Sequence, residues 1–157
     1  IPHIVLQTIY VFPPIKFKNK RQEKFYWRTV RDVKKALPYA KVVGKILAET
    51  NDTLMKMKSD RERKRYMKAL EKEIFNRYEG DMRHFTLSQG KMLIRLISRE
   101  CNQSSYALIK AYRGSFVAGF WQGFARLFGA NLKDEFGETD KDAIVERVIL
   151  LVESGQL

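Results

Sequence analysis

The chain is short of the residues on which several chemistries depend. It holds one cysteine, Cys101, in 157 residues. That excludes an internal disulfide framework and a cysteine-based zinc cluster. A lone cysteine fits a reducing compartment without fixing one, and Cys101 reads as a small apolar residue near a helix end. His3 and His84 are the two histidines. Neither belongs to an H-E-x-x-H or Glu-x-x-His motif, and the chain has no phosphate loop, dinucleotide fingerprint or Gly-x-Ser-x-Gly elbow. The sequence therefore offers no catalytic set, metal site or cofactor site. Its carboxylates are numerous enough to leave an acid/base pair open, but the balance leans away from an enzyme. Glycine (9) and proline (4) are sparse, which leaves room for long regular elements. The most apolar stretch, Gly114 to Ala125, is closed off by Arg113 and Arg126 and is too short a helix to cross a hydrocarbon core.

What is present is a globular balance of 45% hydrophobic and 31% charged residues, enough apolar surface to offset chain entropy in one domain. The net charge of +12 is uneven. Pro13 to Lys45 carries eleven Lys/Arg against Glu23 and Asp32, so three quarters of the surplus lies in one early segment. A localised field steers an anionic partner, whereas a dispersed one mainly aids solubility.

Ile1 to Phe12 (IPHIVLQTIYVF) is β-branched and aromatic and reads as an extended arm or short strand, closed by Pro13-Pro14. The remainder reads as helices. Asn19 with Gln22 caps the first, which carries Tyr26, Val30, Val33 and Leu37 at helical spacing until Pro38 ends or kinks it. Tyr39, Val42, Val43, Ile46, Leu47 and Leu54 continue the period. Ser59 with Glu62 opens the next helix, Thr86 with Gln89 another, and Thr139 with Asp142 the last, which ends near Gly155. Between them a long helix is expected from Asn102 or Ser104 to Phe128, stopped by Gly129. The fold class is all-α, a bundle of about six helices, with residues 1–14 as the arm and 15–157 as a single helical domain.

Three constellations stand out. Lys20, Lys24, Arg28, Arg31 and Lys35 step by four or three and fall within an arc of about 80° on one helix face, with Trp27 at its edge, where a guanidinium can stack or both can meet a ligand. Such a face suits an anionic glycan, a lipid headgroup or an acidic protein. It is also what an ordinary solvated helix face looks like. Nucleic acid is a weaker match, since no recognised binding motif accompanies it. Second, Ala111, Ser115, Gly119 and Gly123 recur every four residues among Phe116, Phe120, Trp121, Phe124 and Phe128, a smooth ridge for close helix packing and otherwise a pocket or self-association face. Third, Arg95, Arg99 and Glu100, near Lys91, Asn102 and Gln103, form a candidate polar cluster, read first as a tie between helices and alternatively as an enzyme site of unknown reaction.

The stretches KFKNKRQEKFYWRTVRDVKKALPYAK, NQSSYALIKAYRGSFVAGFWQGFARLFGANLK and KDAIVERVILLVESGQL resemble an uncharacterised Bacteroidetes family, domain-of-unknown-function family 4294, over roughly residues 14–157. The resemblance implies a bacterial protein, often made with an export signal, and so a periplasmic or cell-envelope location. A start at Ile1 rather than methionine fits a removed leader. The family supplies no activity or functional residues to carry over. The expectation is a non-catalytic envelope protein that binds an anionic partner through the basic face. An assembly module that uses the arm for strand addition is the alternative.

Overall fold

The computed structural model describes residues 1–129 and 139–157, with side chains of the last segment from Asp142 onward. Among the described residues there are seven helical segments and no strand: α1 (Lys20–Glu49), α2 (Asn51–Lys56), α3 (Asp60–Met82), α4 (Leu87–Gln103), α5 (Ala107–Ala111), α6 (Arg113–Phe128) and α7 (Thr139–Glu153). The chain is an all-α protein, as its apolar periodicity predicts. It divides into two compact units, Ile1–Lys35 with Glu135–Leu157, and Ala36–Asp134.

The cap signals explain where the helices begin. The Asn19 side chain accepts from the Gln22 amide at 2.9 Å, and the Gln22 side chain accepts from the Lys18 amide at 2.7 Å, so the reciprocal box closes one residue earlier than its usual form. Ser59 accepts from the Glu62 amide at 3.1 Å. Thr86 and Gln89 form a complete capping box, with bonds of 3.2 and 3.0 Å. The expected Thr139–Asp142 pair needs a side chain outside the described residues. At the other ends, Gly129 (φ 60°) and Gly155 (φ 76°) occupy the left-handed region that terminates α6 and α7.

Two boundaries differ from the sequence reading. Pro38 does not end its helix: α1 runs through it to Glu49. Proline removes one helix donor, and Pro38 is exposed, so water can reach the carbonyl left without that bond. The long helix expected from residue 102 or 104 is divided instead. Residues 102–103 belong to the end of α4, and Tyr112, at φ −96° and ψ 6°, separates α5 from α6. The Tyr112 hydroxyl donates to Asp60 at 2.5 Å, tying this break to the first turn of α3. That bond and Lys64, 2.9 Å away, hold the Asp60 carboxyl below its ordinary range. Arg63, one turn further, donates to the carbonyls of Leu54 and Met57 at 3.0 and 2.9 Å, bracing the end of α2, where the Leu54 carbonyl also accepts from the Met57 amide at 3.2 Å.

The second unit is built on close approach of α3 and α6. A Cβ on Gly123 would lie 2.4 Å from the Phe75 ring, and one on Gly119 2.4 Å from the Glu71 carboxyl carbon. These glycines let Phe75 meet Phe120 and Phe124 edge-on, each at 5.9 Å, with Phe116, Phe120 and Phe124 almost wholly buried. Such edge-to-face pairs add to the stabilisation from apolar burial. Gly90 admits the other side of Phe124 to α4. Of the expected small-residue ridge, Gly119 and Gly123 carry the packing, while Ala111 and Ser115 are exposed. Gly123→Ala is expected to destabilise the protein by about 1–3 kcal/mol through overpacking. Gly114→Ala, where nothing lies within 4 Å, should stabilise it by about 0.5–1 kcal/mol. Urea denaturation of the two variants checks the contrast.

Glu71 is 7% exposed in this interface. Burial pushes its carboxyl pKa upward, and Lys72, Arg126 and Lys68 oppose the shift. Between the unfolded and the raised folded value the native state binds more protons, so this contribution falls as pH rises through that window. Glu71→Gln should therefore raise the melting temperature at neutral pH. The gain should vanish below the ordinary carboxyl value of 4.5, as read from circular dichroism melts across pH.

Candidate functional site

The basic stripe lies entirely within the first unit. Its buried counterpart explains its placement. Tyr26, Thr29, Val30, Asp32 and Val33 are all 7% exposed or less. At 100° per residue they occupy one side of α1. Lys20, Lys24, Trp27, Arg28, Arg31 and Lys35 take the opposite side, and all six are exposed. The segment is thus a divided helix whose cations face solvent, while of the two carboxylates between Lys20 and Lys35, Glu23 is exposed and Asp32 is buried.

Individual contacts order parts of this face. Arg31 keeps 59% of its side-chain area exposed while Nη2 donates to Asp32 at 3.2 Å. The Arg28 guanidinium lies 5.7 Å from the centre of the Phe25 ring, a cation–π distance. Trp27 stands edge-on to Tyr26 at 5.1 Å and remains 53% exposed. Tyr26 in turn meets Phe17 at 5.5 Å. A large aromatic ring is therefore presented to solvent at the margin of the stripe, held upright by a buried neighbour.

The extended arm belongs to the same unit and is positioned by the end of α7. There the Gln156 amide donates to Leu151 O at 2.8 Å and the Gly155 amide to Val152 O at 3.1 Å, the paired bonds of a Schellman turn. The turn aims the Gln156 side chain at Tyr10. Its Oε1 accepts from the Tyr10 amide at 2.9 Å and its Nε2 donates to the Tyr10 carbonyl at 2.8 Å. One side-chain amide thereby satisfies both backbone groups of an extended residue, as a neighbouring strand would. Gln7 donates to Ser154 O at 3.0 Å, and the Arg147 guanidinium lies 4.9 Å from the Phe12 ring centre. Sequence reasoning missed this clasp because Gln156 and Tyr10 are separated by almost the whole chain. The Gly155-Gln156 turn signal was visible, but its target was not.

The candidate polar cluster lies in the second unit. Glu100 faces α1, where Lys41 approaches to 2.7 Å and Gly44 leaves room for its side chain. Arg99 donates to Gln103 at 3.4 Å along its own helix, and Arg95 is half-buried. For Glu100 the result is an interhelix tie. Cys101 is 2% exposed, and burial pushes its thiol up to about 11, so the nucleophilic thiolate is scarce at neutral pH. Among the described residues no group of three or more His, Cys, Asp and Glu side chains could hold a metal ion, and no helix is long and apolar enough to cross a membrane.

Fold and face together define an all-α protein with a cationic helix surface and a docked extended arm. The chain belongs to the family described as Domain of unknown function (DUF4294), whose model matches residues 1–151. That match includes the arm. No curated protein and no solved structure matches the chain.

Gln156→Ala should free the Tyr10 backbone groups without unfolding α7, because the helix-ending bonds of residues 155 and 156 are made by backbone, while Gln7 and Phe12 keep their contacts with Ser154 and Arg147. Hydrogen exchange is expected to speed up at the Tyr10 amide while the buried helices keep their protection.

Proposed function

We propose that this chain is a non-catalytic protein of the bacterial cell envelope that binds an anionic partner through the face of α1 formed by Lys20, Lys24, Trp27, Arg28, Arg31 and Lys35. One observation carries the reading: these six side chains are all exposed on a single helix face, where Arg31 pairs with a buried carboxylate, Asp32. Like charges aligned on one rigid helix repel one another, and a polyanion relieves that repulsion and releases its own counterions on binding. Arginine adds forked donors suited to sulfate, phosphate or carboxylate oxygens, and exposed Trp27 adds a flat apolar surface beside them. The envelope location is supported by the family resemblance.

The test uses dextran sulfate as a soluble polyanion, with binding followed by calorimetry over a salt series. Wild-type affinity should fall steeply with salt. Arg28→Glu/Arg31→Glu should weaken binding at least about tenfold and reduce the slope of log K against log salt by roughly two. It should keep its helical circular dichroism at the assay temperature, with a lower melting temperature because the buried Asp32 carboxylate loses its Arg31 partner. Binding that ignores salt, or a double variant that binds as wild type does, contradicts the proposal.

A further inference from the structure

The arm carries the most exposed apolar side chains among the described residues of the first unit. Ile4, Val5, Leu6, Ile9 and Val11 are 72–94% exposed. Apolar groups left in water on this scale mark an interaction surface. From Ile1 to Ile15 the sequence has no Lys, Arg, Asp or Glu. Lys16, Lys18, Lys20 and Arg21 then follow within six residues, all exposed. The chain thus passes from an uncharged apolar arm directly into cations that lead onto the stripe, within one compact unit.

The two surfaces ask for different complements. The stripe needs negative charge, and the arm needs an apolar phase. A soluble polyanion supplies only the first. A bilayer with anionic headgroups supplies both within a few ångströms of depth, and an apolar element beside a basic cluster is the pairing that anchors peripheral proteins, since neither signal alone holds firmly. We infer that the anionic partner is a lipid surface, with the stripe on the headgroups and the arm's side chains dipping beneath them. This inference rests on the anion-binding reading above. The depth is limited by the backbone. Tyr10 has its amide and carbonyl satisfied by Gln156, but among the described residues Ile4, Val5, Leu6 and Ile9 have no such partners. Unpaired amides do not enter hydrocarbon. The arm therefore lies at headgroup level, where water still reaches its amides.

Flotation of the full chain with phosphatidylcholine vesicles, with and without phosphatidylglycerol, tests this. Wild type should bind the phosphatidylglycerol vesicles at least about tenfold more tightly than phosphatidylcholine alone. Ile4→Ser/Leu6→Ser/Ile9→Ser should lose at least tenfold on the anionic vesicles yet bind dextran sulfate as wild type does. Arg28→Glu/Arg31→Glu should lose both. Wild type that binds dextran sulfate but not the vesicles, or an arm variant that floats like wild type, overturns the lipid inference and leaves the stripe reading standing. Failure to bind either probe overturns both. Loss of a dimer on size exclusion by the arm variant, with unchanged flotation, makes the arm a strand for a second copy and also overturns the inference.

Discussion

The close approach of α3 and α6 is the constraint on which the second unit depends. Two missing side chains, at Gly119 and Gly123, let a glutamate and a phenylalanine occupy space that any Cβ would take. Glycine within a helix costs roughly 1 kcal/mol against alanine, and the edge-on ring contacts around Phe75 offset that cost. Once α6 is seated, Phe124 becomes the surface on which α4 packs through Gly90. The order of helices in this unit therefore follows from a few positions without side chains. Glu71 is the strained part of the arrangement. Its carboxylate is held near the interface by the same glycine that makes room for it, and its raised pKa records what burial costs.

The first unit works on a different principle, division of a single helix into two chemistries. The buried side of α1 fixes which way the cations point, so an apolar pattern determines the direction of an electrostatic surface. Sequence charge is also polarised within this unit. Residues 13–35 hold nine Lys/Arg and two acids, whereas 135–157 hold six acids and two Lys/Arg. Net charge alone conceals that asymmetry.

Much of this was legible in the sequence, for local reasons. Helix starts at Asn19, Ser59 and Thr86 depend on a side chain that accepts from the amide three residues on, and Gly129 and Gly155 on the conformational freedom of one residue. The outward stripe follows from helix geometry once the apolar positions are known. What escaped were boundaries and contacts set by tertiary partners. Pro38 sits on an exposed face where its missing bond is tolerated, and Tyr112 is anchored to Asp60, fifty-two positions earlier. Glu100 turns to Lys41 on α1, which a reading of its own helix alone could not show. No local pattern announces that Phe75 and Glu71 will stand opposite two particular glycines.

The arm joins these two kinds of information. Its composition marked it as extended, and an isolated strand needs a partner for its backbone. Among the described residues there is no strand to provide one. The protein instead offers a side-chain amide at one residue, Tyr10, placed by a helix-ending turn whose own bonds are backbone bonds. The Gln156 clasp, the Gln7 bond to Ser154 and the Phe12 contact with Arg147 fix the arm against α7 but leave most of its apolar side chains in water. Folding gains little from side chains that stay exposed, because apolar stabilisation scales with area removed from water. On the proposed reading their contribution comes at a contact made after folding, and the cations that begin at Lys16 suit that contact to a negatively charged surface.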